Sequence, residues 1–395
     1  MAGSPGVARS GDAGDAVPTW RSSFPAMGTR VDVIGWGGNG MAIVNAIVEV
    51  VARHEDLWSV FRVSSEVSRL NAAVASAGGG EGVSRHLAES AEASAGLVVS
   101  EDTDRLLRGA LALAEATGGA FNPMIGPLVA AWDVKAMRAA YVAGAPLPPA
   151  PSSRVVEAAL RASSWGLLSR VGERRWAVGV PAESVGGVDA PSPRLDLGGI
   201  AKGDTADACR DLAVSMGARG VLVSVGTSSV SVSGTRADGS PWRAGLRDPH
   251  GAPTAIAGVE ELPADGMASL STSGDNLGPL GDARALCAGP VSERVSERAA
   301  ERAVDLRARE TSRETHGGGG RIFDHHIIDP RTGYPARSGV RQVSVVASSG
   351  VLAEALSTAL LVDPSIDVSD VAARWARAMG APASAKVVGL VRAAR

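Results

Sequence analysis

Residues 195–203 read Leu-Asp-Leu-Gly-Gly-Ile-Ala-Lys-Gly, and the way this stretch turns decides the fold. A short strand over 194–197 is expected to run into Gly198 and Gly199, which let the backbone turn, and a helix over 201–216 follows. A glycine-rich strand-to-helix turn leaves backbone N–H groups free at the positive end of a helix dipole, which suits a phosphate. Lys202 adds a full positive charge there. Lysine in a first helical turn opposes the dipole, so its presence calls for another reason. The stretch is neither a Walker A loop, which needs GxxxxGK[ST], nor a dinucleotide GxGxxG. An ordinary turn would also use glycine here.

Outward from this turn, strands are expected at 220–225, 230–233 and 242–246, and before it at 29–35 and 176–180. Helices are expected over 41–58, where Ile43, Ile47, Val50 and Val51 recur at helical spacing, and over 101–117. The second has an acidic first turn (Glu101, Asp102, Asp104) and a glycine stop at Gly118-Gly119. Residues 57–71 are mixed, with serines marking turns, and 144–153 is a proline-rich connector before a short helix over 154–162. The C-terminal part reads as strand 342–346, helices 351–361 and 368–379, and strand 386–390. Clustered strands and long helices in this order give an α+β protein, not a regular βαβ winding.

Composition narrows the function. The chain has 395 residues, 45% hydrophobic and 21% charged, with a formal net charge of -3. That is an ordinary globular balance, and the absence of a basic stripe argues against a nucleic-acid partner. Cys209 and Cys287 are the only cysteines and sit in no metal-ligand spacing. No apolar run long enough to span a membrane occurs, and no targeting segment is read at the start, so a cytoplasmic protein is expected. Residues 1–23 are expected to be disordered. Residues 276–320, with SERVSERAAERAVDLRARE and a glycine run, read as a low-complexity surface insertion.

Several further clusters carry polar or glycine-rich chemistry. Met27-Gly28-Thr29 precedes the first strand and is a plain turn on its own. Gly118 to Pro123 (GGAFNP) would let backbone approach a ligand, or merely stop a helix. His325-His326-Ile327-Ile328-Asp329-Pro330-Arg331-Thr332-Gly333 is a dense polar turn. Adjacent histidines on a strand face opposite ways, which argues against joint metal ligation. Finally, Glu354 and Thr358 lie four apart on a helix, with Ser357 near the same edge. A carboxylate with hydroxyls is a hard-cation set suited to magnesium, although a surface Glu and a back-bonded Thr would read the same way.

Taken together, FPAMGT (24–29), SVFRVSSEVSRLN (59–71), TGGAFNP (117–123), LDLGGIAKG (195–203), TSGD (272–275), HHIIDPRTGYPA (325–336) and LAEALSTAL (352–360) resemble the ApbE family of FAD:protein FMN transferases. The resemblance runs from about residue 24 to the end, outside the insertion. It implies a two-lobed α+β fold of mixed or antiparallel sheets flanked by helices, with the flavin between lobes. It also implies transfer of FMN from FAD to a Ser or Thr of a target protein, with magnesium, releasing AMP. FAD contacts are implied at Met27, Phe61, Ala120, Phe121, Asn122, Asp196, Lys202 and Ile328. The metal is implied on the Gly199 carbonyl with Glu354, Ser357 and Thr358, and His325, His326 and Asp329 stand as candidates for proton handling or pyrophosphate contact. The family usually has Asp at positions 122 and 354, and Gly-Gly-Asp/Asn where this chain has Gly226-Thr227-Ser228. A hydrolase splitting FAD to FMN and AMP, and an FAD carrier without turnover, are the competing readings.

Overall fold

A computed structural model describes residues 17–78, 96–143, 145–181, 191–249, 255–263, 267–274 and 326–392. The expected insertion and His325 lie outside these residues. The chain opens with a hairpin of β1 (Thr19–Ala26) and β2 (Thr29–Gly37). Met27 and Gly28 close it with φ of 52° and 68°, the doubly left-handed turn whose twist suits paired strands. Residues 19–23, expected to be disordered, are therefore strand. Trp20 anchors them, its ring packed under Gly35 and Gly40 and its Nε1 donating to the Gly37 carbonyl at 2.9 Å.

Next come α1 (Gly40–Trp58), α2 (Glu66–Gly78), β3 (Leu97–Val98), α3 (Glu101–Ala116), α4 (Gly126–Ala131), α5 (Val134–Ala143) and α6 (Ser153–Ala162). They are followed by β4 (Leu168–Gly172), β5 (Arg175–Val178), α7 (Ala201–Ser215), β6 (Ala218–Val225), β7 (Ser229–Gly234), β8 (Arg243–Arg247) and β9 (Ile256–Glu261). The chain closes with β10 (Met267–Gly274), β11 (Val340–Ala347), α8 (Gly350–Val362), α9 (Val368–Met379) and β12 (Ala385–Arg392). The α2 helix emerges from the stretch read as mixed, because its serines cap and do not break it: Ser65 Oγ accepts from Ser68 N–H at 2.9 Å.

The expected strand at 194–197 is not a strand. The segment is extended but pairs with no ladder. Leu195 N–H donates to Asn71 Oδ1 at 2.7 Å, Asn71 Nδ2 returns a bond to the Leu195 carbonyl at 3.0 Å, and Asp196 N–H donates to the Pro123 carbonyl at 2.8 Å. An apolar extended run satisfied by one amide side chain and a loop has the sequence signature of a strand without its partner.

The large sheet is antiparallel throughout, in the order β1-β2-β6-β7-β10-β11-β12. One face packs α1 and α7 through Val31, Val33, Val221 and Val223 against Ile43, Ile47 and Cys209. The same face packs α8 through Val343 and Val345 against Leu352 and Leu356. The β8–β9 hairpin covers the other face with Trp242 over Val232, Leu270 and Val346. A smaller sheet, β3-β5-β4, backs α3. Every residue of α8 except Thr358 is buried, so its polar members, Glu354 and Ser357, must find partners inside the protein. Where α7 crosses α8, a Cβ on Gly203 would lie 2.3 Å from the Gly350 carbonyl oxygen, and one on Gly350 the same distance from that of Gly203. The helices meet backbone to backbone.

A buried histidine ties α1 to α7. His54 is 3% exposed, its Nδ1 is 3.0 Å from Thr205 Oγ1, and its ring lies against Trp58. Burial, aided by Arg53 and Arg105, lowers its pKa from 6.5 to about 4. The folded state resists a proton that the unfolded chain accepts, so stability is lost as pH falls from 6.5 towards 4. Unfolding at pH 7 and 4.5 is expected to show a loss of roughly 2 to 3 kcal/mol that His54→Gln removes. An equal acid sensitivity in the variant would contradict this assignment.

Candidate functional site

The glycine turn and the late helix meet. Gly203 N–H, at the start of α7, donates to Glu354 Oε2 at 2.8 Å. Lys202 Nζ donates to the Gly198 carbonyl at 3.0 Å and stands 3.3 Å from Glu354 Oε1. Ser229 Oγ on β7 donates to the same Oε1. The lysine that opposed the helix dipole thus has its reason: it answers a buried carboxylate. Its side chain stays 27% exposed, so the ammonium can still meet an anion from solvent.

The other clusters join this centre in a ring. Asp196 Oδ1 accepts from Gly198 N–H at 2.8 Å and shapes the turn, while its own N–H holds the GGAFNP loop through Pro123. The Phe121 ring reaches within 3.5 Å of where a Gly199 Cβ would stand. Asn122 is committed at both ends: Nδ2 donates to the Ser163 carbonyl at 2.7 Å, and Oδ1 accepts from Met124 N–H at 2.8 Å. On the far side, the Arg331 stem lies beside Gly119, and its guanidinium bonds Asp329 (3.1 Å) and Asp363 (2.9 Å) just past α8. Both carboxylates hold the Arg331 pKa above its ordinary value.

The remaining residues differ in what they offer. Ala120 and Ile328 are buried, Ile328 among Leu128, Trp132 and Val156. Met27 packs on the core from its left-handed turn. Phe61 stands 85% exposed in the loop between α1 and α2, outside the packed ring of clusters. Asp329 spends its carboxylate on Arg331 and on turning the chain. His326 is half-buried at the edge of the described residues.

The chemistry of the oxygen donors around Glu354 would suit a magnesium ion. Ser273 Oγ lies 2.8 Å from Ser357 Oγ and 3.1 Å from Thr358 Oγ1, which gathers these hydroxyls on the side of α8 that carries Glu354. No group of three or more His, Cys, Asp or Glu able to hold a metal occurs among the described residues. One carboxylate with hydroxyl and carbonyl oxygens is the sparse set magnesium accepts when phosphate and water complete its shell.

Sequence reading missed Ser229 and gave no role to Ser273, which it quoted only as part of TSGD. Their signal is a stripe of serines at alternate positions, Ser229 and Ser231 on β7 and Ser269, Ser271 and Ser273 on β10, where a helix-covered sheet face should be apolar. Two acids, the part-buried Asp207 and the buried Glu354, answer the stripe. Asp207 takes Ser231 at 2.6 Å and Ser269 at 2.5 Å, and Glu354 takes Ser229.

Comparison with known proteins identifies the family and the fold. The ApbE family profile matches residues 27–279 and 295–380. The FAD:protein FMN transferase of Treponema pallidum is 31% identical over 68% of this chain, and the match spans 62% of that relative. The protein of the same name from Vibrio cholerae is 24% identical over 86% of this chain and 80% of its own. Among solved structures, the flavin transferase ApbE from Vibrio cholerae aligns with a TM-score of 0.61 at 21% identity, covering 95% of this chain and 97% of that one. The apbe protein from Thermotoga maritima aligns at 0.60 and 25% identity, with the same coverage. The α+β architecture is theirs. No helix among the described residues is long and apolar enough to cross a membrane. With the profile matched over most of its length, the chain belongs to the ApbE family.

Proposed function

We propose that this protein transfers FMN from FAD to a Ser or Thr hydroxyl of a target protein and releases AMP. The observation that carries the proposal is the joining of the glycine turn, Lys202 and Glu354 at one partly open point, beside a hydroxyl pair suited to magnesium. The Lys202 ammonium, at the positive end of α7, would bind the pyrophosphate, and Glu354 would orient the lysine. The N–H groups of Gly198, Ile200, Ala201 and Gly203 are spent inside the protein and hold the turn in shape. Magnesium, held by the Gly199 carbonyl, Glu354, Ser357 and Thr358, would supply charge neutralisation at the phosphates.

The acceptor hydroxyl oxygen attacks the FMN phosphorus. A new phosphoester P–O bond forms, the P–O bond to the bridging oxygen breaks, and AMP departs with that oxygen. The hydroxyl proton must leave as the ester forms. His325, His326 and Asp329 are the candidates to take it, Asp329 while also bonding Arg331.

The test incubates the purified protein with FAD, magnesium and a cell extract, then reads flavin fluorescence on denaturing gels and maps the attached residue by mass. Covalent flavin on Ser or Thr of an acceptor, with AMP released, is expected. Free FMN and AMP without labelled protein would make it a hydrolase, and intact bound FAD would make it a carrier.

A further inference from the structure

Trp165 is not part of any motif above, yet it borders the site. It opens the short 3-10 turn Trp165–Leu167, and its side chain is 36% exposed. The turn is pinned on both sides. Ser163, two residues before, gives its carbonyl to Asn122, and the Leu167 carbonyl accepts from Gly179 N–H at 2.7 Å. A Cβ placed on Gly119 would meet Trp165 Nε1 at 3.7 Å and the Arg331 Cγ at 3.8 Å. The indole and the arginine stem therefore flank a glycine with φ of 79°, at a point where the loop presents bare backbone.

A single exposed aromatic is ordinary on a protein surface. This one differs in its surroundings. The same loop, two residues on, sets Phe121 against Gly199 in the glycine turn, so Trp165 and the phosphate-binding point sit at opposite ends of GGAF. Gly119 and Phe121 are two residues apart, so the chain between these contacts spans at most about 7 Å, within the distance at which a dinucleotide's ring system stands off from its pyrophosphate. Arg331 cannot serve as a phosphate clamp at this end, because Asp329 and Asp363 already hold its guanidinium.

From this arrangement we infer that Trp165 is a further binding residue, offering its exposed indole face to one planar heterocycle of the bound dinucleotide. The inference rests on the FAD reading above. Stacking on an aromatic side chain is tolerant of ring identity, so either the isoalloxazine or the adenine could be the partner.

Titrations of wild type, Trp165→Ala and Trp165→Phe with FAD, FMN and ADP test it, with thermal melting to confirm folding. Trp165→Ala is expected to weaken FAD binding about tenfold or more, and Trp165→Phe to restore most of the loss. The smaller ligand that suffers the same loss, FMN or ADP, names the ring. Unchanged FAD affinity in Trp165→Ala, or equal losses in Ala and Phe, overturns the role of Trp165 and leaves the FAD reading standing. Failure of wild type to bind FAD overturns both.

Discussion

Replacing Glu354 with glutamine is expected to cut FMN transfer by at least about a hundredfold, while the protein stays folded. Glutamine keeps the shape and an oxygen that can still accept from Gly203 N–H. It removes the negative charge that faces Lys202 at 3.3 Å, and with it the charge that would share a divalent ion. Alanine should act differently. It strips the acceptor from Gly203 N–H and Ser229 as well, and it leaves Lys202 without its partner, so about 3 kcal/mol of stability should go with the activity. Transfer rates and denaturant unfolding of the two variants separate the roles. Wild-type turnover in Glu354→Gln would show that the carboxylate serves structure alone.

The second large effect concerns the glycine crossing. Gly350→Ala puts a methyl group 2.3 Å from the Gly203 carbonyl oxygen. No rotamer change can relieve a clash with backbone, so α7 and α8 must separate, and the Lys202–Glu354 pair separates with them. A loss of about 3 kcal/mol or more is expected, with a parallel loss of FAD binding. Gly109→Ala in α3 is the control. Its nearest neighbour would be Trp375 Nε1 at 3.4 Å, and the variant should stay within about 1 kcal/mol of wild type. Equal stability of Gly350→Ala and wild type would mean that the two helices have room to part.

These positions show how far the site was legible in the sequence. Glu354, Ser357 and Thr358 were legible as neighbours on one helix face, and the structure adds that Glu354 and Ser357 are buried and supplies the partners such burial demands. The glycine turn was legible too, but its strand was not real: residues 194–197 borrow hydrogen bonds from Asn71 and Pro123, and pairing to a side chain 124 residues away leaves no local trace. The hairpin strand around Trp20 was missed for a similar reason, since its burial depends on Gly35 and Gly40 across the turn. Asn122 carried a ligand-like reading from the resemblance, and its structural work was not legible: Nδ2 ties the loop to the Ser163 carbonyl 41 residues on, and Oδ1 accepts from Met124 N–H. The serine stripe was present in the sequence all along. Its meaning depends on knowing that α7 and α8 cover that face.

The decisive measurement is an FAD titration of wild type and Lys202→Ala, each with and without magnesium. Wild type should bind FAD, and more tightly with the metal present. Lys202→Ala should lose about tenfold or more in affinity, the value of one charge-assisted bond to phosphate. FAD affinity that ignores both the lysine and magnesium would place the dinucleotide's phosphates somewhere other than the turn at Gly198 and Gly199.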